Sequence, residues 1–511
     1  MPIDWVALTV FILLFALITV LGFLAVHWRR GDLGLLSEWG LAGSRFGTVV
    51  TWFLLGGDIY TAYTFIAVPA LMFGAGALGF FAVPYTIMVY PFVFAVFPRL
   101  WSVARQHGYI TAGDFVRGRY GNRWLALAVA ATGILATMPY IALQLVGIQV
   151  VIAALGITGQ GLLGDLPLII AFVILAAFTY TSGLRAPAAI AIVKDTLIWI
   201  TVITAIIAIP IELGGYDKIF AAVPPAKLLL PAPQGSTLGA FSAYVTLAMG
   251  SALALFLYPH AVTGVLSSSS RVVIARNAAL LPAYSLMLGL IALLGYMALA
   301  AHVDSAPQFA ALAKEYPGNY AVPALLLSMF PSWFVGVGFA AIAIGALVPA
   351  AIMSIAASNL WTRNIYREFI NPACTPRQEA QNAKFMSLIV KFGALVFIIF
   401  VPLKFAIYLQ LLGGVLIIQT LPSVILGLFT RWLHDRALFV GWLVGLSVGT
   451  AMAASQGFAP TFPLGILGLT IPCYTALASL VLNLVVTIVL TPVFKALAAP
   501  GPDETRAEHY V

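Results

Sequence analysis

Charge is scarce in this chain. Aspartate, glutamate, lysine and arginine make up 8% of its 511 residues, where a soluble domain carries about 25%. With 62% hydrophobic residues and a mean hydropathy of +1.05, no segment is polar enough to fold as a soluble domain. The class is therefore an all-α polytopic membrane protein. Cysteine is nearly missing as well. Cys374 falls in a polar loop and Cys473 in an apolar run, which suggests no disulfide framework. No HExxH, Walker or CxxC pattern occurs, so a zinc hydrolase, a P-loop enzyme and a dithiol redox protein lack their motifs. A GxGxxG match at Gly74, Gly76 and Gly79 follows a helical run rather than a strand and does not read as a dinucleotide site. The first apolar run has no basic start and no A-x-A site, so it reads as a span and not as a cleaved signal peptide.

What the chain does have is long apolar runs, roughly thirteen of them by the criterion of about 20 residues per span. They lie near 5–26, 46–73, 79–100, 124–154, 167–182, 190–211, 240–265, 278–301, 324–357, 385–403, 405–429, 437–455 and 467–495. The division near Pro402 and Lys404 is the least sharply marked. Threaded back and forth, the runs gather Arg29, Arg30, Arg45, Arg99, Arg105, Arg117, Arg119, Arg123 and every later arginine, with Lys384 and Lys495, on one side. Only Lys218, Lys227 and Lys314 fall on the other. The positive-inside rule then puts the N-terminus outside and the C-terminus in the cytoplasm. The outer loops near 212–239 and 302–323 carry little chemistry, and the short polar tail from Ala498 reads as disordered. Gly441, Gly445 and Gly449 form a small-residue ridge that suits close helix packing inside the protein.

Two runs are interrupted. In Thr51 to Ala67, TWFLLGGDIYTAYTFIA, the residues Gly56, Gly57 and Asp58 fall near the middle of a span, and hydroxyl-bearing Tyr60, Thr61, Tyr63 and Thr64 follow. Paired glycines weaken a helix by about 1 kcal/mol each, and a carboxylate at that depth is costly without a partner. The alternative is a kinked helix with a satisfied polar pair. Five spans later, SAYVTLAMGSALALFLYPHAVTGVLSSSS carries Pro259, which removes a backbone donor, and His260 beside it. Gly250 and Ser251 offer a second weak point upstream. A core histidine bonded to a carbonyl is the alternative for His260. Two interrupted helices so spaced are the sequence sign of an inverted five-plus-five repeat with a transport site between the breaks.

These residues resemble the sodium:solute symporter family. The stretch RLWSVARQHGYITAGDFVRGRYG is similar to the family pattern through Arg99, Thr111, Asp114–Phe115 and Arg119–Gly121. Ser37 to Gly47, Pro259–His260 and Asn364–Arg367 match further landmarks, so the resemblance runs across most of the chain. GGDIYTAYTF and GALVPAAIMSIAASNLWTRNIYR look most like the bacterial monocarboxylate permeases, carriers of lactate, pyruvate and related acids. The resemblance implies a leucine-transporter-type fold with one extra N-terminal and two extra C-terminal helices. It divides the chain into 1–45, a first repeat 46–211, a loop 212–239, a second repeat 240–429, two helices in 430–497 and a cytoplasmic tail 498–511. It also implies a bacterial inner-membrane location.

Carried onto this chain, the family's sodium site uses carbonyls at Gly57, Tyr60 and Gly345 with two hydroxyls from the ninth span. Val348 and Pro349 stand where those hydroxyls belong. A hard cation seeks about six oxygen ligands, so the inherited site is damaged and no metal site is certain. Ser354 and Ser358 lie one to two turns further on. IAIVKDTLIW resembles the family's Trp-Thr-Asp, with Lys194 in place of the threonine and Asp195 after it. A lysine ammonium reaching the vacant site would replace a fixed sodium. The alternative is a snorkelling lysine paired with Asp195, and snorkelling is the favoured reading for Lys391.

A monocarboxylate needs one positive partner and a small apolar pocket. With no arginine at mid-membrane, the helix N-terminus after the first break is the expected partner. Tyr60, Thr61, Thr64, Tyr140, Gln144 and Ser251 are the candidate solute contacts, with Gln410 a weaker one. Gly57, Asp58, Lys194, Asp195, His260 and Gly345 are the candidates for ion coupling. The function expected is import of a small organic anion by cation symport, protons favoured over sodium, with no cofactor, nucleic acid or obligatory protein partner. A sensor on the same fold lacks its kinase domain here, and a membrane enzyme lacks a catalytic cluster. A sodium-coupled carrier of another small solute is the nearest alternative.

Overall fold

The computed structural model describes residues 2–28, 31–157, 162–400 and 406–511. Arg29, Arg30, Pro402 and Lys404 lie outside the described residues. The described residues are mostly helical. Its main helices are α1 (Trp5–Leu24), α2 (Thr48–Ile59), α3 (Val68–Ala75), α4 (Ala82–His107), α5 (Ala112–Tyr120), α6 (Arg123–Ala154), α7 (Leu162–Ser182) and α8 (Arg185–Leu213). After them come α9 (Gly239–Leu255), α10 (Pro259–Leu266), α11 (Arg271–Leu280), α12 (Pro282–Ala300), α13 (Ser332–Trp361), α14 (Pro376–Phe400), α15 (Ala406–Ile417), α16 (Asp435–Ser455) and α17 (Thr475–Leu497). Among the described residues nine helices are long and apolar enough to cross a membrane, and the bent pair α9–α10 makes a tenth.

The centre of the molecule is α13. It packs on α1, α6, α8 and α14, and its run of Ala, Gly and Ile lets those neighbours approach closely. By contrast α1 is peripheral, with Leu13, Ile12 and Val20 facing outward.

Both interruptions are present, with different anatomy from that expected. The first falls after Gly56, Gly57 and Asp58, not at them: α2 stays helical to Ile59, and the chain then passes through Tyr60–Ala62 into a wide π turn, Tyr63–Ala67, before α3. The glycines are there for close approach. A Cβ on Gly56 would lie 2.1 Å from the ring of Tyr284, and one on Gly57 would lie 2.8 Å from Lys194 Nζ. The second interruption bends α9 against α10 by 48°. Pro259 occupies the first turn of α10, where a missing N–H costs nothing. Gly250 and Ser251 are no break: α9 continues through them to Leu255, and Gly250 makes room for the ring of Tyr474.

The two broken helices meet at the arginine-rich end. Phe46 N donates to Ser267 O at 3.1 Å, Ser269 N to Phe46 O at 2.8 Å, and Ser44 Oγ to Leu266 O at 2.8 Å. Nearby, two motifs far apart in sequence converge. Thr111 and Asp114 form a capping box at the start of α5. Asp114 also accepts from Asn364 Nδ2 at 3.0 Å and Arg363 Nε at 3.1 Å, while Thr111 Oγ1 donates to Asn364 Oδ1 at 2.8 Å.

Three further expectations need correction. The last span does not begin at 467, because Thr461–Ile466 (β1) and Leu469–Tyr474 (β2) form an antiparallel hairpin. Pro463, Gly465, Gly468 and Pro472 disfavour helix there, and Leu467 and Gly468 both take positive φ in the tight turn. The tail is ordered, not disordered. Asp503 pairs with the buried Arg119 at 2.8 Å, Glu504 N donates to Gly118 O at 2.9 Å, and Tyr510 is buried. Lys391 does not snorkel to a surface. It is buried, with Nζ turned back toward Ser387 O at 3.4 Å. The glycine ridge of α16 lies against α17, where Thr487, Asn483 and Ser479 occupy the space that side chains would fill.

Candidate solute and ion site

The first break brings its backbone to α8. Lys194 Nζ lies 2.8 Å from Gly57 O, 3.2 Å from Tyr60 O and 2.9 Å from Asp195 Oδ1. An ammonium has three protons to donate, and here three acceptors meet it. Lys194 and Asp195 have no exposed side-chain surface. The other carboxylate oxygen of Asp195 accepts from the Tyr284 hydroxyl at 2.6 Å. Tyr284 stands on α12, and its ring packs on Tyr60 and into the space above Gly56. Nothing in PAYSLMLGL marks that tyrosine from sequence, since no charge or break adjoins it.

The hydroxyls after the break are turned toward the backbone. Thr64 Oγ1 accepts from Thr61 N at 2.8 Å and lies 3.0 Å from Ile59 O and 2.8 Å from Thr61 O. Thr61 Oγ1 accepts from Tyr63 N at 3.0 Å, and Gln144 Oε1 accepts from Ala62 N at 2.9 Å. The amides of Thr61, Ala62 and Tyr63 are therefore all engaged. This corrects the expectation that a free helix N-terminus receives the anion: the orphan donors of the break are satisfied by its own Thr61 and Thr64 and by Gln144 of α6.

On the ninth-span helix α13, Val348 and Pro349 present no oxygen toward the carbonyls, and both are buried. Ser354 Oγ donates to Ala351 O at 2.8 Å and Ser358 Oγ to Ile355 O at 2.7 Å, so neither hydroxyl replaces them. Gly345 lies beside Ile198, one turn along α8 from Lys194.

Several polar groups on the two broken helices and on α15 are buried without a partner. Asp58 is buried with neither carboxylate oxygen hydrogen-bonded, and His260 Nδ1, Ser251 Oγ and Gln410 Oε1 are also buried without a partner. His260 packs its ring on Tyr140 and Tyr258, each 5.4 Å away between centroids. Tyr258 donates to Gln410 O at 2.9 Å. Gly264, one turn beyond His260, has its Cβ-side filled by Leu55; a Cβ there would lie 2.6 Å from Leu55 Cδ2 and 3.9 Å from Asp58 Oδ2. Beneath Pro259, toward the arginine-rich end, a cavity of about 10 Å³ is walled by Gly133, Val262, Thr263, Leu360 and Thr420, room for one water.

The profile of the sodium:solute symporter family matches residues 39–445. The chain belongs to the sodium:solute symporter family. It is 52% identical to a monocarboxylate transport permease protein of Rhizobium johnstonii, over 97% of this chain and 98% of that one. It is 32% identical to the uncharacterized symporter YodF of Bacillus subtilis, over 95% and 93%. In fold it is similar to a substrate-bound, outward-open sodium-coupled sialic acid symporter, with a TM-score of 0.78 at 15% identity over 98% of this chain and all of that one. A nucleobase–cation symport-1 family transporter in a closed conformation aligns with a TM-score of 0.55 at 11% identity, over 94% of this chain and all of that one. This symporter is thus a multi-pass membrane protein of a solute-transport family.

Proposed function

We propose that this chain imports small monocarboxylates of the lactate and pyruvate type across a bacterial inner membrane by proton symport. The observation that carries the proton is Lys194. Its ammonium rests on the carbonyls of Gly57 and Tyr60, where the family resemblance puts a sodium ion, while Val348 and Pro349 withhold the two hydroxyls that ion needs. A tethered cation at that point leaves no place for a free one. The similarity to a monocarboxylate permease along nearly the whole chain supports the solute class.

In this reading the two broken helices belong to inverted five-helix repeats with the solute between them, the arginine-rich end is cytoplasmic and the N-terminus is periplasmic. Tyr140, Ser251 and His260 face the solute. Thr61, Thr64 and Gln144 hold the break open for it. The test is uptake of labelled propionate, lactate or pyruvate into proteoliposomes. Uptake follows an inward proton gradient, persists when choline replaces sodium, and stops with a protonophore. Glucose and proline do not compete. Strict dependence on sodium at fixed pH, unaffected by protonophore, overturns the coupling and favours a sodium-coupled carrier.

A further inference from the structure

Asp58 is buried, and the groups around it constrain what it can do. On its own helix Leu55 packs beside it, against the open face of Gly264 on α10. Tyr140 on α6 lies near enough to feel its charge. The charged groups facing it are Lys194 and Asp195 on α8, and His260 lies one turn before Gly264 on the same face of α10. The Lys194 ammonium already has Asp195 and two carbonyls as partners. Lys194 and Asp195 cancel each other, so Asp58 sets the net charge of the site.

An anion brought against an ionised Asp58 would place two uncompensated negative charges in a site closed to water. One such charge already costs several kcal/mol. A single proton shared between two carboxyl groups removes that cost and forms a charge-assisted O–H···O bond, among the strongest a protein makes. Both oxygens of Asp58 are free to take part in it. We infer that Asp58 receives the carboxylate of the solute, and that one proton enters with each monocarboxylate, shared between the two carboxyl groups. His260, whose Nδ1 is also buried and unpartnered, packs on Tyr140, the same ring that lies near Asp58, and in this inference it takes a second oxygen of the solute. The proton comes from water on the outer side, ahead of the solute or with it, and returns to water on the inner side as the solute leaves. One anion and one proton move together, so transport carries no net charge. This deepens the monocarboxylate reading and rests on it.

The experiment uses the full chain purified in detergent, titrated with propionate by calorimetry in buffers of different ionisation enthalpy. Proton uptake per propionate bound by wild type rises toward one as the pH is raised and the empty carrier's Asp58 ionises. Asp58→Asn binds propionate with no proton uptake, and Asp58→Glu keeps it. In proteoliposomes of the unmodified protein, a potassium diffusion potential set with valinomycin leaves the uptake rate unchanged at fixed pH gradient, a readout that needs no variant. Binding of propionate by wild type without proton uptake at any pH, alkaline included, or uptake that follows the potential, overturns the inference and leaves the solute reading standing. Failure of propionate, lactate and pyruvate alike to bind overturns the monocarboxylate reading and this inference with it.

Discussion

Replacing Lys194 by methionine removes the charge and keeps most of the volume. In the parent the ammonium satisfies Gly57 O, Tyr60 O and one oxygen of Asp195, all in a site with no exposure. The variant leaves Asp195 as a buried carboxylate supported only by Tyr284, and breaking one side of a buried pair costs about 3–5 kcal/mol. Two carbonyls also lose their partner, at about 1–3 kcal/mol for each that stays dry. The same three oxygens then form a small anionic pocket, suited to a free cation. Sodium that binds the folded variant restores stability by RT ln(1 + [L]/Kd), about 2.7 kcal/mol at a hundredfold excess over Kd. The assay is thermal unfolding in detergent with sodium chloride against choline chloride. Wild type melts at the same temperature in both. Lys194→Met melts lower in choline and recovers in sodium, whereas Lys194→Met/Asp195→Asn loses most of the sodium effect. A wild type stabilised by sodium as strongly as the single variant would falsify the assignment of the ammonium to the cation position.

Three other outcomes follow from the geometry. Thr64→Val removes the acceptor for Thr61 N and destabilises the break by about 1–3 kcal/mol, read as a lower melting temperature, while apparent solute affinity stays within twofold; a selective loss of affinity would return Thr64 to the solute. Gly56→Ala sets a methyl against the Tyr284 ring and costs about 1–3 kcal/mol of stability, which Gly56→Ala/Tyr284→Ala relieves in part; no change in melting for the single variant refutes the close approach. Arg119→Ala removes the closer of the two arginines on Asp503 and loosens the tail, so limited proteolysis cuts beyond Ala498 faster than in wild type, and equal rates show that Arg431 and the Gly118 carbonyl hold the tail without it.

The membrane class, the two interruptions and the family were legible because each rests on strong local signals: apolar runs, Pro259, and an acid beside paired glycines. The exact break was not legible, because glycine marks both a weak helix and a close neighbour, and here Tyr284 and Lys194 approach from helices more than a hundred residues away. The hold of Thr61, Thr64 and Gln144 on the backbone was not legible for a related reason. A hydroxyl beside a break serves solute or backbone equally well in sequence, and the bonds to Thr61 N, Tyr63 N and Ala62 N appear only in the structure. The tail looked disordered by composition, since its anchors are single residues, Asp503 and Tyr510, whose partners Arg119 and Phe115 lie far upstream. Tyr284 left no trace at all.

The bonds that join Phe46 and Ser44 to the end of α10 have a mechanical consequence. Phe46 exchanges both its backbone groups with Ser267 and Ser269, and Ser44 adds a third link to Leu266. These links stand at one end of each broken helix, far from the bends. They act as a yoke: a tilt imposed on one helix is handed to the other before either can swing alone. The pivots left to the pair are the bends themselves, at Tyr60–Ala62 and Phe256–Tyr258, where the backbone has already left the helical ladder. A disulfide engineered across the yoke therefore leaves the pair free to rock as one body, whereas a clamp across either bend stops it.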